Sequence, residues 1–578
     1  MTASMHVIAT AGHVDHGKSS LVLALTGTDP DRFEEEKRRG LTIDLGFAHA
    51  VLPSGAGVSF IDVPGHVKFL KNMLAGVGAV DACLFVVAAT EGWKPQTEEH
   101  LRILELVGVK HGVIALTKTD LVDDDDLELA RLILADQVAG TFLQDAAVVA
   151  TAATLGRGLD ELRSALDALV SATPTAADRG RSRLWVDRVF AARGSGTVVT
   201  GTLAGGTVAV GDQVTVGPRA VTARVRAIQS LGQSHDRIGP GNRVALNLGG
   251  VEHHQIERGD AVAHPGAWHM ATTFDAELHV LASVDHQVSR RGAYVLYLGS
   301  GEFPVKMRVL GLYGVEPGGD GLVRFRSTVP LPLLPGDRFV LRESGRSETV
   351  GGGEVLDVAP VLPASRARPD RSVDRVIAER GWVEVDDLAL LTGHHRPATL
   401  GRWIGAPGKL EALVAQVRTR VADSGPLGLD IATLDERERE SLVGAQGLEV
   451  IAGRVRIAAV KDPLADHPFV AALAGSPFTP PGADGVDRAE LRALVQRGLV
   501  IESDGVWFHP NAITAAGRIA AELLVTNPHG FTVAQFRDAV AATRKHVLPL
   551  VAEMDKRGIT RRRDDVRIAG PRLPVSTP

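Results

Sequence analysis

The sequence predicts a multidomain chain: an α/β domain, two β-barrels and C-terminal tandem winged-helix (α+β) repeats. Three successive patterns predict that order. Strands alternate with helices first, short strands with Gly-rich turns come next, and helices followed by hairpins come last. The length of 578 residues agrees with this, since it corresponds to about four domains of about 150 residues each.

The α/β domain is predicted over residues 1–172. Runs such as HVIATAG, VSFIDVPG, ACLFVVAA and HGVIALTK have the composition of strands. Stretches between them, such as QTEEHLRILELVG, have the apolar spacing of amphipathic helices. This alternation predicts a mostly parallel sheet with helices on its faces.

Two barrels are predicted after the linker-like segment TPTAADRGR. From Ser182 to about Asp357, short strands alternate with Gly-rich turns, and no helical pattern interrupts them. We expect one barrel over 182–262 and a second over 268–360.

The rest of the chain is predicted to hold four winged helices. Helical segments followed by short hairpins recur in units of roughly 40–60 residues. One hairpin is GLVIESDGVWFHP and the last is GITRRRDDVRIAG. The predicted limits are 371–425, 426–462, 463–510 and 511–570.

Composition excludes several classes of protein. Lys and Arg number 63 against 69 Asp and Glu, and the net charge of −6 argues against a uniformly basic surface for non-specific nucleic-acid binding. The single cysteine, Cys83, excludes a disulfide framework and any multi-cysteine metal site. No apolar run reaches the ~18 residues of a membrane span, and the first residues lead directly into a strand. We therefore expect a cytoplasmic protein with no membrane partner.

A phosphate-binding loop follows the first predicted strand. The string GHVDHGKS, from Gly12 to Ser19, fits the pattern G-x-x-x-x-G-K-[ST] and leads into the helical stretch SSLVLALTG. Its glycines would let backbone N–H groups converge on a β-phosphate at a helix N-terminus. Lys18 would reach the β- and γ-phosphates, and the Ser19 hydroxyl would bind Mg²⁺.

Two further segments have the chemistry of a nucleotide switch. Asp62 ends another strand, where its carboxylate can hold the Mg²⁺ shell, and the N–H of Gly65 can sense a γ-phosphate. Thr42 lies between a helix and a strand, and its hydroxyl would reach Mg²⁺ only while the γ-phosphate is present. His66 follows Gly65, where an imidazole can orient the attacking water.

The loop after the fifth strand selects the base. It reads TKTD, and the carboxylate of Asp120 there can accept hydrogen bonds from both N1–H and N2–H₂ of guanine. Adenine cannot supply that pair of donors. The sequence therefore predicts GTP rather than ATP, with GTP/GDP and Mg²⁺ as the cofactors.

These strings together resemble a known family. AGHVDHGKSS, RRGLTID, DVPGH and TKTD resemble the translational GTPases of the elongation factor Tu type, in which two β-barrels follow a P-loop GTPase domain. The longer strings DRFEEEKRRGLTIDLGFAH and FIDVPGHVKFLKNMLAGVG resemble the bacterial selenocysteine-specific elongation factors more closely. The resemblance covers essentially the whole chain, including four winged helices. It implies hydrolysis of GTP to GDP and phosphate, stimulated by the ribosome.

The resemblance also assigns residues around the nucleotide. Val14 and Leu41 would form an apolar gate that keeps His66 away from the γ-phosphate until the ribosome triggers hydrolysis. Ser19, Thr42 and Asp62 would surround Mg²⁺. The last base-contacting loop falls on Thr151-Ala152-Ala153, in a register that stays open by one residue. The implied GTP-binding residues are Gly12, Asp15, His16, Gly17, Lys18, Ser19, Ser20, Gly65, Thr117, Lys118, Asp120, Thr151, Ala152 and Ala153.

The first barrel would hold the cargo. By resemblance, the selenocysteine pocket consists of Asp187, Arg188 and Arg243. A selenol ionises below neutral pH and a serine hydroxyl does not, so paired guanidiniums would favour selenocysteine over serine. The alternative is a structural ion pair between Asp187 and either arginine.

The last winged helix carries local positive charge. From 544 to 567, eight Lys and Arg face four Asp and Glu, although the chain is acidic overall. A solvated basic hairpin is one interpretation. The resemblance implies another, an mRNA hairpin that marks a UGA codon for selenocysteine. The residues predicted to bind it are Arg544, Lys545, His546, Arg561, Arg562, Arg563 and Arg567.

The leading hypothesis is therefore an elongation factor that carries selenocysteinyl-tRNA to the ribosome at a hairpin-marked UGA codon. We expect a monomer whose partners are that tRNA, the mRNA hairpin and the ribosome. One alternative is a more general tRNA-carrying, initiator-carrying or sulfate-activating GTPase. Another is a winged-helix nucleic-acid-binding regulator that GTP switches.

Overall fold

A computed structural model gives the structure of the chain in two compact units. The N-terminal unit comprises the chain to Ala398 with Arg402–Ala406, and the C-terminal unit comprises Thr399–Gly401 with the chain from Pro407. The structure describes residues 5–31, 36, 38, 42–66, 69–78, 80–192, 196–425, 427–443, 445, 447–458, 464 and 466–574.

The N-terminal unit begins with the α/β domain. Its six-stranded sheet has the order β2-β3-β1-β4-β5-β6, in which only β2 runs antiparallel to its neighbour. Buried apolar side chains fill both faces of the sheet, as the near-continuous apolar strands require. The strands are β1 (Met5–Ala11), β2 (Gly46–Val51), β3 (Gly57–Asp62), β4 (Ala82–Ala88), β5 (Gly112–Thr117) and β6 (Val148–Ala150). The helices are α1 (Lys18–Thr26), α2 (Leu70–Val77), α3 (Pro95–Leu106), α4 (Asp124–Val138) and α5 (Leu159–Ala172).

This strand order brings the candidate loops together. The parallel strands β1, β3 and β5 end at Ala11, Asp62 and Thr117, so the three motifs that follow them lie at one edge of the sheet. The carboxyl edge of a parallel sheet is where ligands bind in such folds.

The first barrel closes through six strands. The ring runs β11-β16-β7-β9-β15-β12, and pairing of β12 with β11 completes it. Its interior is aliphatic, rich in Val and Leu. The strands are β7 (Arg183–Trp185), β8 (Arg188–Ala192), β9 (Gly196–Ala204), β10 (Val208–Ala209), β11 (Gln213–Val216), β12 (Val221–Ser230), β13 (Gln233–His235), β14 (Arg237–Ile238), β15 (Arg243–Gly249) and β16 (Ala261–Ala263).

The second barrel is also closed, in the order β17-β22-β20-β19-β23-β24. Its core contains Phe274, Phe325 and Phe339, whose adjacent ring centroids lie 5.4 and 5.3 Å apart. The strands are β17 (Met270–Val280), β18 (Val288–Ser289), β19 (Tyr294–Leu298), β20 (Gly301–Val309), β21 (Gly314–Val315), β22 (Asp320–Pro332), β23 (Arg338–Glu343) and β24 (Glu348–Asp357).

Four helix-and-hairpin sets follow the barrels. The first set lies in the N-terminal unit and contains α6 (Val373–Arg380), β25 (Trp382–Glu384), α7 (Val385–Thr392) and β26 (Trp403–Gly405). The second contains α8 (Lys409–Asp423), β27 (Leu429–Asp430), α9 (Glu436–Glu440), β28 (Leu448–Ile451) and β29 (Arg454–Ile457).

The third set contains α10 (Pro468–Gly475), α11 (Arg488–Gln496), β30 (Ile501–Ser503) and β31 (Val506–Phe508). The fourth contains α12 (Pro510–Thr526), β32 (Phe531–Thr532), α13 (Val533–Ala539), α14 (Arg544–Lys556), β33 (Thr560–Arg563) and β34 (Val566–Ala569). The predicted fold class of α/β domain, two barrels and winged helices is confirmed.

One boundary differs from the prediction. The sequence placed the limit between the first two winged helices at 425, which assigned α8 to the first. Instead, Val417 and Val421 of α8 are buried in a cluster with Leu434 and Val455. We therefore place the limit near 406, because α8 packs with the second hairpin. The other predicted domain limits stay predictions.

Among the described residues, no helix is both long and apolar enough to cross a membrane.

The position of α8 predicts how the C-terminal unit tolerates truncation. In a fragment of residues 407–578, the second helix-and-hairpin set should be folded and should unfold cooperatively on heating. In a fragment of residues 426–578, the remainder of that set should be unfolded from the start. The reason is that the shorter fragment uncovers the apolar core around Val455, which is fully buried. Thermal unfolding followed by circular dichroism, with hydrogen exchange at β29, measures this. Equal protection of β29 in the two fragments would contradict the assignment.

Candidate functional site

A cavity of about 500 Å³ lies at the carboxyl edge of the sheet. It contains ten of the fourteen predicted nucleotide-binding residues, and the other four, Gly12, His16, Thr151 and Ala152, are not in its lining. The lining residues are Val14, Asp15, Gly17, Lys18, Ser19, Ser20, Asp31, Glu36, Thr42, Gly65, Thr117, Lys118, Asp120, Leu121, Ala153 and Thr154.

The phosphate loop depends on glycine at two positions. Gly12 has φ +136° and Gly17 has φ +86°, both in the left-handed region, and a Cβ on Gly12 would overlap the carbonyl oxygen of Val86. Lys18 Nζ donates to Gly12 O at 3.1 Å and to His13 O at 2.8 Å. Burial lowers the pKa of Lys18 to about 8, although Asp62 opposes that shift. The loop therefore holds the lysine over the cavity floor.

His100 holds the same loop from below, and sequence reasoning missed it. Its Nδ1 accepts a hydrogen bond from Gly12 N at 3.1 Å, and its side chain is buried. Burial, with Lys18 and His13 nearby, lowers its pKa to about 3, so the ring is neutral with its proton on Nε2. The available signal was a polar residue on the apolar face of α3, beside Leu101 and Leu104.

His16 lies beneath the loop rather than in the cavity. Its side chain is buried, and its Nδ1 lies 3.4 Å from Val86 O. Burial lowers its pKa to about 4, with His13 adding to the effect. The predicted contribution of His16 to nucleotide binding can therefore come only through the loop backbone.

Three oxygens of the predicted metal set converge. Ser19 Oγ lies 2.7 Å from Asp62 Oδ2 and 2.8 Å from Thr42 Oγ1. Adjacent ligands of octahedral Mg²⁺ are separated by about 2.9 Å, given bonds of about 2.05 Å. These residues therefore fit a magnesium ion, which would supply positive charge beside the phosphates.

Two other residues support that cluster. Thr10 Oγ1 donates to Asp62 Oδ1 at 2.7 Å and fixes the orientation of the carboxylate. Burial raises the pKa of Asp62, although the positive charge of Lys18 acts in the opposite direction. Asp31, which the sequence analysis did not select, accepts from Thr42 Oγ1 at 3.0 Å. Burial raises the pKa of Asp31 to about 6. It is the first residue of the string DRFEEEKRRGLTIDLGFAH, but its contact with Thr42 is apparent only in the fold.

The predicted catalytic residues are only partly brought together. A Cβ on Gly65 would overlap Lys18 Nζ and lie 2.6 Å from Val14 N, so this backbone lies against the phosphate loop. Val14 lines the cavity, but the half-buried His66 does not, and its ring centroid lies 6.0 Å from that of Phe69. Leu41 lies outside the described residues. The hydrolytic role of His66 and the gate stay predictions.

The end of the cavity that is predicted to select the base is built from two loops. Thr117 Oγ1 donates to His16 O at 2.6 Å, and the exposed Asp120 lines the cavity. Thr151 is buried, and its carbonyl accepts from Thr119 Oγ1 at 3.1 Å. In the loop that follows β6, Ala153 and Thr154 line the cavity.

Lys118, between Thr117 and Thr119, forms an ion pair with Glu91. Its φ is +58°, and its Nζ lies 3.2 Å from Glu91 Oε1. That contact orients the lysine stem along the cavity wall.

The three predicted cargo residues lie beside one another on the first barrel. Asp187 forms an ion pair with Arg243 and accepts from Thr200 Oγ1 at 2.6 Å. Burial alone would raise the pKa of Asp187, but Arg243 and these hydrogen bonds hold it below its usual range. The alternative of a structural ion pair therefore applies to Asp187 and Arg243.

Phe47 of β2 covers the two arginines. Its ring centroid lies 4.1 Å from the guanidinium carbon of Arg188 and 3.5 Å from that of Arg243. Arg188 Nη2 also donates to the carbonyl of Leu45. The α/β domain thus contacts the predicted cargo residues directly.

The C-terminal arm presents most of its predicted charges to solvent. Arg544 and Lys545 are exposed at the start of α14, and Arg561, Arg562 and Arg563 are exposed on β33.

Two of the predicted arm residues are less accessible. His546 is half-buried, with Nδ1 3.3 Å from Thr543 Oγ1. Arg567 is buried, and its Nε donates to Asp555 Oδ2 at 3.2 Å. Arg567 therefore supports the hairpin internally and does not present its charge to an RNA.

Two family profiles match parts of the chain. The profile "Elongation factor Tu GTP binding domain" matches residues 3–172. The profile "Elongation factor SelB, winged helix" matches residues 522–569, within the last helix-and-hairpin set.

Curated relatives match between 61% and 66% of the chain. The chain is 40% identical over 351 residues to the selenocysteine-specific elongation factor of Desulfomicrobium baculatum, across 61% of this chain and 55% of that protein. It is 37% identical over 398 residues to the Escherichia coli K12 protein of the same name, across 66% and 62%. It is 34% identical over 385 residues to elongation factor Tu 2 of Streptomyces avermitilis, across 61% of this chain and 96% of that protein. The matches thus span 55% and 62% of the two selenocysteine-specific relatives.

Solved structures extend the similarity. A bacterial selenocysteine-specific elongation factor, EF-Sec, aligns with 98% of this chain and 100% of its own, with a TM-score of 0.72 and 25% identity. The fold also resembles translation elongation factor SelB of Methanococcus maripaludis in complex with the GTP analogue GppNHp, with a TM-score of 0.55, 24% identity, and coverage of 62% and 81%.

The contact between His100 and Gly12 predicts an effect on nucleotide affinity. His100→Leu should weaken GTP binding by about tenfold or more, because an unpaired buried N–H costs about 1–3 kcal/mol. His100→Asn should retain most of the affinity, since its Oδ1 can accept the same hydrogen bond. Fluorescent-nucleotide titration measures both, with thermal unfolding as the control for folding. Wild-type affinity in the leucine variant would exclude this role.

Proposed function

We infer the function of this chain from its family: it belongs to the translational GTPases of the elongation factor Tu type, in their selenocysteine-specific branch. We propose that it binds GTP and selenocysteinyl-tRNA and delivers that tRNA to the ribosome in the cytoplasm. Delivery occurs at UGA codons marked by an mRNA hairpin, and codon recognition triggers hydrolysis of GTP. The observation that carries the proposal is the direct contact of the Thr42–Phe47 segment with both the metal cluster and the cargo residues.

The nucleotide is held by groups of known geometry. Lys18 and the loop N–H groups bind the phosphates, and Asp120 accepts hydrogen bonds from guanine. Ser19, Thr42 and Asp62 would hold Mg²⁺, which would supply positive charge beside the phosphates. When the γ-phosphate is lost, Thr42 no longer binds next to it and can leave the cluster. The conformation of residues 42–47 therefore depends on which nucleotide is bound.

Hydrolysis requires a step that brings His66 to the phosphate. His66 lies outside the cavity lining in this structure, next to Gly65, which lies against Val14. In this proposal, a movement of this loop past Val14 places the imidazole where it can orient the attacking water. The ribosome supplies the trigger in this proposal.

The cargo pocket distinguishes selenolate from hydroxyl by charge. Arg243 forms an ion pair with Asp187, and the guanidinium of Arg188, which shares the Phe47 ring with Arg243, adds a second positive charge near the cargo. A selenolate satisfies that charge, and a neutral serine hydroxyl does not. A more general tRNA carrier is the second candidate, since Arg243 is engaged in an ion pair with Asp187.

The exposed arginines of β33 and the first turn of α14 would bind the mRNA hairpin. They form two groups of positive charge in the same helix-and-hairpin set. Such groups contact phosphates and fix the orientation of an RNA.

The cargo assignment predicts selective protection of the aminoacyl ester. Selenocysteinyl-tRNA should deacylate more slowly when the protein and GTP are present, by about tenfold or more at saturation, and seryl-tRNA on the same tRNA should not. With GDP, neither should be protected, because the 42–47 segment changes with the nucleotide. Hydrolysis time courses of both esters measure this. Equal protection of the two esters would favour the general carrier.

The guanine assignment predicts a change of base preference. Asp120→Asn should shift preference from GTP toward XTP by about 100-fold, since the amide can donate to the C2 carbonyl of xanthine. Competition between the two nucleotides measures the shift. Asp124→Asn, an exposed carboxylate at the start of α4, is the matched control. Unchanged GTP preference in Asp120→Asn would remove this residue from the base site.

The arm assignment predicts loss of RNA affinity with a reduced salt dependence. Replacing Arg561, Arg562 and Arg563 with Ala in the full chain should weaken binding of a selenocysteine hairpin RNA by about 100-fold at low salt. The slope of log K against log salt concentration is negative, and its magnitude should decrease by about 2–3. The control replaces the exposed Arg488 and Arg492 of α11. Equal losses of RNA affinity in the variant and the control would show that the effect comes from the overall charge and not from these three arginines.

A further inference from the structure

A second cavity of the N-terminal unit is lined by four arginines. It has a volume of about 460 Å³ and lies where the segment after α5 meets both barrels. The arginines are Arg179, Arg181, Arg183 and Arg371. None of the nucleotide-site, cargo or arm residues lines it.

Arg181 is the distinctive member of this group. Its Nη2 donates to the carbonyl of Ala389, but its Nη1 is buried and has no hydrogen-bond partner. Burial alone lowers its pKa, and no carboxylate opposes that shift. The cation is therefore partly removed from water without a compensating charge.

Arg183 shows what a compensated guanidinium looks like in the same cavity. Its two terminal nitrogens donate to the two oxygens of Asp337 at 2.7 and 2.6 Å, and its carbon lies 4.4 Å from the ring centroid of Trp268. This is the paired-fork geometry by which arginine binds a carboxylate. Arg181 has the same chemistry but lacks the acid.

The remaining charges leave the cavity positive. Among the described residues, Arg179 is exposed and has no carboxylate within 4.0 Å, while Arg371 pairs with Glu354. The two acids of the lining are engaged elsewhere: Asp337 pairs with Arg183, and Asp81 Oδ2 accepts from Val7 N at 2.9 Å. Arg179 and Arg181 together therefore offer about two uncompensated positive charges, which match one phosphate.

We propose that this cavity binds a phosphate group through the Arg181 guanidinium, with Arg179 at its rim. A partly buried guanidinium without a paired acid is costly, and an oxyanion that accepts a charge-assisted hydrogen bond from it offsets that cost. The planar fork of arginine suits phosphate, whereas a lysine would offer only a point charge. The phosphate can come from an RNA backbone or from a free phosphate compound. The proposal does not depend on which amino acid the protein carries.

Inorganic phosphate is the probe for the first experiment. Full-length protein saturated with GDP and Mg²⁺, so that the nucleotide cavity is filled, is titrated calorimetrically with phosphate. We expect one saturable site, and Arg181→Met should weaken it by about tenfold or more, the loss expected for a charge-assisted hydrogen bond. Phosphate should also raise the unfolding midpoint of the wild type but not that of Arg181→Met.

Two further variants make the result specific. Arg219→Met removes an exposed arginine of the first barrel that lies outside the cavity, and it should bind phosphate as the wild type does. Arg181→Lys keeps the charge but loses the fork, so its affinity should be intermediate. It also provides a folded comparison if the methionine variant is unstable.

A second arm identifies the source of the phosphate. Deacylated tRNA is bound to the same variants with and without competing inorganic phosphate. If RNA is the source, Arg181→Met weakens tRNA binding by about tenfold and phosphate competes in the wild type. If a free phosphate compound is the source, tRNA binding is unchanged and phosphate binding is lost in this variant. The proposal is overturned if Arg181→Met equals the wild type in both arms, or if Arg219→Met loses as much.

Discussion

The cluster of Ser19, Thr42 and Asp62 oxygens is the contact on which the rest of the N-terminal unit depends. It joins the phosphate loop, the segment before β2 and the end of β3 within 2.8 Å. Residues that continue from Thr42 then contact the first barrel: Asp44 Oδ1 lies 3.0 Å from Arg258 Nη1, and Phe47 covers the cargo arginines. A short stretch of chain thus connects the predicted metal ligands to the predicted cargo residues.

Charge in this protein is used differently in the interior and at the surface. Buried ions such as Asp187 and Arg183 are matched by a partner in fork geometry, which limits the cost of removing them from water. The exposed arginines of β33 remain free to contact an anion. Arg181 belongs to neither group, because part of its guanidinium is buried without an acid. That difference, rather than the net charge of the chain, singles out its cavity.

Much of the site could be predicted from sequence because its parts are local motifs. The phosphate loop, the Asp62-to-Gly65 turn and the TKTD loop each combine several functional residues within one short string. The residues that escaped prediction act through long-range contacts. His100 contacts Gly12 from 88 positions away along the chain, and Asp31 contacts Thr42, which lies 11 positions further along the chain. The assignment of α8 to the second helix-and-hairpin set and the burial of Arg567 likewise depend on packing partners. The spacing of apolar residues in the sequence does not specify those partners.

The sequence by itself determined the fold class, the family and the chemistry of the nucleotide loops, since apolar periodicity and short motifs encode them locally. Tertiary structure alone decided which oxygens converge on the metal position, that Arg243 is neutralised by Asp187, and that His66 lies off the cavity wall. It also decided that, in the part of the chain that the structure describes, Nη1 of Arg181 is buried without a hydrogen-bond partner. The physical reason is that hydrogen bonds and ion pairs depend on distances between residues remote in sequence, and only the packed chain sets those distances.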